Sequence, residues 1–176
     1  MQRHILITAL CTLAFSACVR SEPEREIDPG WCVVPYKALE DPLREKKELD
    51  LREYIFRQEI AKPIRDEVVF LSFGHGVDGN WIGLPDGYAD RFADLPVSVR
   101  PASDVKLLIG GLKSKTDGRI GHIYYVEILE WLDDNTVKVN HGLYGGPLYG
   151  GGVEGAVYHF RNGMWSLKTS GQHHIS

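Results

Sequence analysis

TVKVNHGLYGGPLYGGGVEGAVYHFRNGMWSLKT, residues 136–169, is the stretch whose reading decides the fold of this chain. Near its end Asn162-Gly163 separates an alternating run, with Ala156, Tyr158 and Phe160 on one parity and Val157 and His159 on the other, from Met164-Trp165-Ser166-Leu167. A two-residue loop matches strand twist when both central residues accept positive φ, which Asn-Gly does at little cost, so the last two strands are expected to pair antiparallel. At the other end Val137 and Val139 share one face and Lys138 and Asn140 the other, the period of a half-buried strand. Between them lie Gly142, Gly145, Gly146, Gly150, Gly151, Gly152 and Gly155, with Tyr144, Pro147 and Tyr149 interspersed. A phosphate-binding loop needs a strand that feeds a helix N-terminus. Here a strand follows, and the glycines read instead as a loop or bulged crossover where backbones approach closely.

Upstream, Asp41-Pro42 offers a cap and a first helical turn, and Leu39 and Leu43, then Leu51 and Ile55, with Tyr54, Phe56 and Ile60 nearby, give spacings of three and four. Pro63 ends this helical region. Glu67 to Phe73 is apolar on both parities, as expected for a central strand covered on both faces. The stretch from Gly74 to Asn80 reads as a long loop, Asp86 to Phe92 as one short helix and Pro96 to Pro101 as an extended return. Asp104 to Leu112 reads as a strand, Lys113 to Gly118 as a polar turn and Arg119 to Leu132 as a long strand. The expectation is an α+β domain with its N-terminal helix packed on a curved antiparallel β-meander.

With 176 residues, the chain is long enough for one core and too short to suggest two. A net charge of -4 gives no basic footprint, so no nucleic-acid partner is expected. Met1 to Ala17 has the anatomy of a signal peptide: Arg3, then an apolar or small-residue run from Ile5 that is too short to span a bilayer. Its end, Phe15-Ser16-Ala17-Cys18, resembles a bacterial lipobox, in which the cysteine is acylated and becomes the mature N-terminus. Residues 1–17 are therefore read as a lipoprotein-type signal, 18–30 as a charged, proline-containing tether and 31–176 as a single α+β domain. Acyl chains on Cys18 would hold the domain on a membrane. Val19, rather than an aspartate after the cysteine, favours the outer membrane on the periplasmic side. The alternative is cleavage after Ser16, which leaves a soluble periplasmic or secreted protein in which Cys18 could bridge to Cys32.

The tail resembles an uncharacterised family of small bacterial secreted or lipid-anchored proteins. The resemblance is carried by Trp131, Val137 to Val139, Leu143 to Gly150, Val157-Tyr158, Gly163-Met164-Trp165 and the terminal Ile175-Ser176. It extends more weakly through Phe70-Leu71-Ser72, Arg91-Phe92 and Val99 to Ser103. Members often carry cysteines where this chain has Gly145 and Tyr149, and many end in Trp-Ile-Ser where it has His174 before Ile175. The resemblance implies a fold and no activity.

Four residues are candidates for a binding surface: His75 and Asp78 in a glycine loop, and Tyr144 and Tyr149 among the later glycines. Glycines let a histidine approach a ligand closely, and aromatics beside them can form a platform for sugars or peptide edges. The same aromatics can equally be cross-strand pairs filling a sheet. No catalytic residue is assigned, since no nucleophile sits at a recognisable elbow. No metal site is expected either, because His122, His141, His159, His173 and His174 lack the spacings that mark one. No cofactor is implied. The expected function is a cell-envelope lipoprotein acting as a non-catalytic binding or accessory module, with a protein partner allowed for. The alternatives are a periplasmic or secreted immunity or inhibitor protein, and a small periplasmic hydrolase using His75. A buried acid–histidine pair lining a deep cleft would overturn the non-catalytic reading.

Overall fold

The computed structural model describes residues 25–62, 67–75, 80–147 and 149–175. Its elements are strand β1 (Val33–Val34), helix α1 (Pro42–Ile60), then β2 (Val68–Ser72), β3 (Trp81–Ile82), β4 (Ser98–Pro101), β5 (Val105–Leu108) and β6 (Gly111–Ser114). These are followed by β7 (Gly121–Asp133), β8 (Thr136–Gly146), β9 (Tyr149–Arg161), β10 (Met164–Thr169) and β11 (Gln172–Ile175). Strands dominate, and α1 is the one α-helix among the described residues. The main sheet runs β10-β9-β8-β7-β2-β4, with β11 continuing along the edge of β9 that β10 leaves open.

From β7 to β10 each strand pairs antiparallel with the next. The expectation of an all-antiparallel sheet fails at β2, which lies parallel to both β4 and β7. Parallel neighbours need a crossover of a dozen residues or more. The stretches 73–97 and 102–120 supply those crossovers, so the direction is set by connections that the hydrophobic pattern does not report. What that pattern does report holds: all five residues of β2 are buried.

They are buried because the sheet is covered on both faces. On one side Val69, Leu71, Tyr124, Val126, Val137 and Val139 pack with Leu51, Ile55 and Phe56 of α1. On the other, Val68, Phe70 and Ile123 pack with Trp81, Val105, Leu107 and Leu112. The second cover was not expected. Asp104 to Leu112, read as one strand, instead holds β5, the turn and the start of β6, which pair antiparallel as a hairpin, and this hairpin shields the far face. Glu26 and Ile27, in the stretch read as a tether, run along the same hairpin, with the Ile27 amide donating to Leu107 O at 3.0 Å.

Helix α1 starts where the sequence places it. The Asp41 carboxylate accepts from the amides of Leu43 and Arg44, and Pro42 fills the first turn. Leu43, counted in the apolar stripe, is exposed; it lies in the first turn, beyond the sheet's reach. Pro63 falls outside the described residues. Within α1, Arg52 Nη1 donates to Glu48 Oε2 at 3.0 Å as a buried ion pair, and this pair reaches the sheet through Arg52 Nε, which donates to Val126 O at 3.3 Å. The Trp131 indole donates to the other Glu48 oxygen at 2.7 Å.

The turn between β9 and β10 is the expected one, with Asn162 at φ 54° and Gly163 at φ 81°. The glycine stretch is a correction. Rather than forming a loop, Gly142, Gly145, Gly146, Gly150, Gly151, Gly152 and Gly155 all lie within β8 and β9.

Candidate ligand cavity

The glycines are there because the strands leave no room for side chains. A Cβ on Gly142 would stand 2.2 Å from Gly151 O, and one on Gly152 would stand 2.5 Å from His141 O. Both would also crowd the Tyr125 hydroxyl, so these glycines form the floor beneath the Tyr125 ring on the hairpin side of the sheet. Between Val139 and His141 the β8–β9 register shifts. Gly155, at φ +70°, takes up the extra residue, and its amide is held by Asn140 Oδ1 at 2.9 Å. The shift turns Val153 and Ala156, three apart, to the same buried helix-side core. His141 also lies on that side, and its ring contacts that of Tyr158.

At this end of the sheet the last turn of α1 and strands β8, β9 and β11 line an open cavity of about 370 Å³. Its polar end is Glu59, Lys62 and His141, its floor Gly150 to Gly152, and its sides include Leu143, Tyr149 and Val153, with β11 along the rim. Glu59 Oε1 lies 3.3 Å from His141 Nδ1, and both side chains are largely buried. The contact is within ion-pair range but misaligned for a hydrogen bond, so Nδ1 is left without a hydrogen-bond acceptor. Glu59 Oε2 accepts from Lys62 Nζ at 2.5 Å. Burial opposes ionisation of Glu59, but the favourable interactions with His141 and Lys62 outweigh it and hold its carboxyl below the usual range. On the other side of the imidazole, Nε2 meets the Tyr158 hydroxyl at 3.4 Å, and burial pushes the Tyr158 phenol up.

Of the four residues proposed from sequence, Asp78 lies outside the described residues, as does the lipidation candidate Cys18. The other three do not form one surface. Tyr144 belongs to the hairpin side, 5.6 Å from Trp81 between ring centroids. His75 is on the same side, 3.8 Å from Trp81 and 5.6 Å from Tyr125. His75 is exposed, and the rings packed on it hold its pKa below the ordinary histidine value by desolvation. Tyr149 is on the opposite side of the sheet, 5.2 Å from His122, and lines the cavity. The bulge between Tyr144 and Gly146 separates the two tyrosines.

Glu59 was not singled out from sequence, and His141 was weighed only as a metal ligand. Nothing in the order of residues joins the end of a helix to the middle of a distant strand. Among the described residues no group of three or more His, Cys, Asp or Glu side chains is placed to hold a metal ion. No described helix is long and apolar enough to cross a membrane. Comparison with family models, curated proteins and solved structures finds no match. The resemblance carried by Trp131 to Ser176 therefore rests on those residues alone.

Proposed function

We propose that this chain is a cell-envelope lipoprotein, acylated at Cys18 and held on the periplasmic side of the outer membrane, where it serves as a non-catalytic binding or accessory module. The leader and the lipobox-like Phe15-Ser16-Ala17-Cys18 support the location. The observation that carries the binding role is how the cavity's ionisable groups are engaged. Glu59 is ion-paired with Lys62 and in contact with His141, while the far nitrogen of His141 meets Tyr158. These groups form the polar end of an otherwise largely apolar cavity, the make-up of a small-molecule binding site.

The structure does hold a buried acid–histidine pair, the observation set against the non-catalytic reading, though in a shallow cavity whose Tyr149 and Ile175 are exposed rather than in a deep cleft. The pair gives weight to a second reading, a small periplasmic hydrolase, and moves it from His75 to His141. A carboxylate against one nitrogen of a histidine is the arrangement that orients a general base. Among the described residues no serine, threonine or cysteine lines the cavity, and on those residues this reading would use water as the nucleophile.

The location is tested by the intact mass of the chain purified from membranes, with and without Cys18→Ala. Acylation predicts added mass and detergent partitioning, both lost in the variant. A soluble chain of unmodified mass would end the lipoprotein reading.

A further inference from the structure

The cavity beside Glu59 has a chemistry narrower than "binding". Resting on the binding-module reading above, we propose that it takes one neutral saccharide ring, with an N-acetylated amino sugar as the best fit.

Its size, about 370 Å³, is near the lower end of the roughly 300–1,000 Å³ usual for small-molecule sites. The Glu59 carboxylate is matched by Lys62 at 2.5 Å, and the other ionisable side chains on the described lining besides the tyrosine are the imidazoles of His141, His173 and His174. An anion would meet Glu59 head on, and a bare cation would have to displace Lys62. A long acyl chain is also disfavoured, since covering Glu59 and His141 with hydrocarbon would desolvate polar groups without replacing their hydrogen bonds. A neutral, polar ligand of ring size remains.

The polar end is built for such a ligand. His141 is 6% exposed, and its Nδ1 has no acceptor. If the Tyr158 hydroxyl donates to Nε2, the ring proton sits on Nδ1 and makes it a donor. Glu59 Oε1 lies 3.3 Å away without an aligned donor. A donor and an acceptor that are not aligned on each other therefore stand side by side at the cavity's polar end, the pattern that adjacent hydroxyls or an acetamido group would satisfy. The floor suits the rest of the ring. Gly150 to Gly152 present three residues without side chains of their own, paired to β8 on one side and partly to β11 on the other. Such a surface accepts the flat C–H face of a sugar. Tyr149, 54% exposed, supplies an aromatic wall, while Leu143 and Val153 offer an apolar corner for an acetyl methyl.

The test is a nuclear magnetic resonance titration of the ¹⁵N-labelled full chain with a β-1,4-linked N-acetylglucosamine tetrasaccharide. Inorganic phosphate and decanoate are titrated separately. The expected result is saturable shifts at the amides of Gly150, Gly151 and Gly152, with affinity in the millimolar range or tighter. Tyr149→Ala, at an exposed position, should weaken binding about tenfold while leaving the rest of the spectrum in place. Glu59→Gln should weaken it too; because that change touches the end of the helix, Tyr149→Ala decides if the Glu59 variant loses its fold. The inference is overturned by no saturable shift at tens of millimolar sugar, by shifts away from the cavity, by affinity unchanged in Tyr149→Ala, or by decanoate or phosphate shifting the same amides more strongly. Release of new reducing ends would leave this inference standing and overturn the non-catalytic reading. Membrane attachment without sugar binding would do the reverse.

Discussion

Replacing Arg52 with methionine should cost about 3 kcal/mol, a large share of the roughly 5–15 kcal/mol that holds a domain of this kind together. The side chains of Arg52 and Glu48 expose only 7% and 8% of their surface. Methionine keeps much of the stem's packing, including part of the contact with the Phe73 ring, over which the guanidinium sits at 4.4 Å. What is lost is the charge facing Glu48 and the donor to Val126 O. Breaking a buried pair from one side costs about 3–5 kcal/mol, because the remaining charge stays buried without its partner. Here the Trp131 indole still donates to Glu48, which places the expected cost at the lower end. With a urea dependence of about 2 kcal/mol per molar, the midpoint should fall by about 1.5 M at unchanged slope. Glu48→Gln/Arg52→Met leaves no unpaired charge and keeps an acceptor for Trp131. It should therefore cost about 1–2 kcal/mol less than the sum of the single changes. Urea unfolding followed by tryptophan fluorescence and circular dichroism checks both values. A single-variant cost below about 1 kcal/mol, or strict additivity in the double variant, would refute the argument that α1 is clamped to β7 by this pair.

Gly121→Ala should prevent or severely weaken folding, because its Cβ would stand 1.9 Å from Val68 O and both atoms belong to the paired backbones of β2 and β7; Gly110→Ala, facing open space, should melt like the parent. Asn162→Ala should cost about 1–2 kcal/mol in chemical unfolding, since alanine gains no relief at φ 54°, whereas Asn162→Gly should fold at nearly parental stability. Arg100 donates to Asp104 at 3.0 Å and to Asp117 at 2.6 Å. Burial opposes ionisation of Asp104, but hydrogen bonds from Thr116, Ser114 and Arg100 outweigh it, and the Arg100 hydrogen bond leads in holding Asp117 down. Both folded pKa values thus lie below the unfolded value of about 3.9, so their stabilisation is complete above that pH and is lost as pH falls through the folded values. The stability gap between parent and Arg100→Gln should accordingly stay constant from pH 7 to about 5 and narrow below about 4; a gap that widened in acid would contradict this sign.

How far the fold could be read from the residues depended on the range of the interaction involved. Asn162-Gly163 is a local instruction, since the turn needs positive φ at two adjacent positions, and the structure has it there. The burial of β2 was legible because an apolar run on both parities reports coverage of both faces. Its direction was not, since the same run serves a parallel or an antiparallel neighbour. The glycines show the limit most clearly. A cluster of them has one composition whether it forms a loop or strands too close for side chains, and alternation in the flanking residues would normally tell the two apart. Here the bulge at Gly155 breaks the alternation, so Val153 and Ala156 both point inward and the period of two disappears. That bulge lies beside His141, and the bare strand it interrupts is the floor of the cavity. The departures from strand regularity that concealed this site in the sequence are therefore the ones that open it, and Glu59 reaches it only because α1 is clamped across the sheet by residues with no local signal of their own.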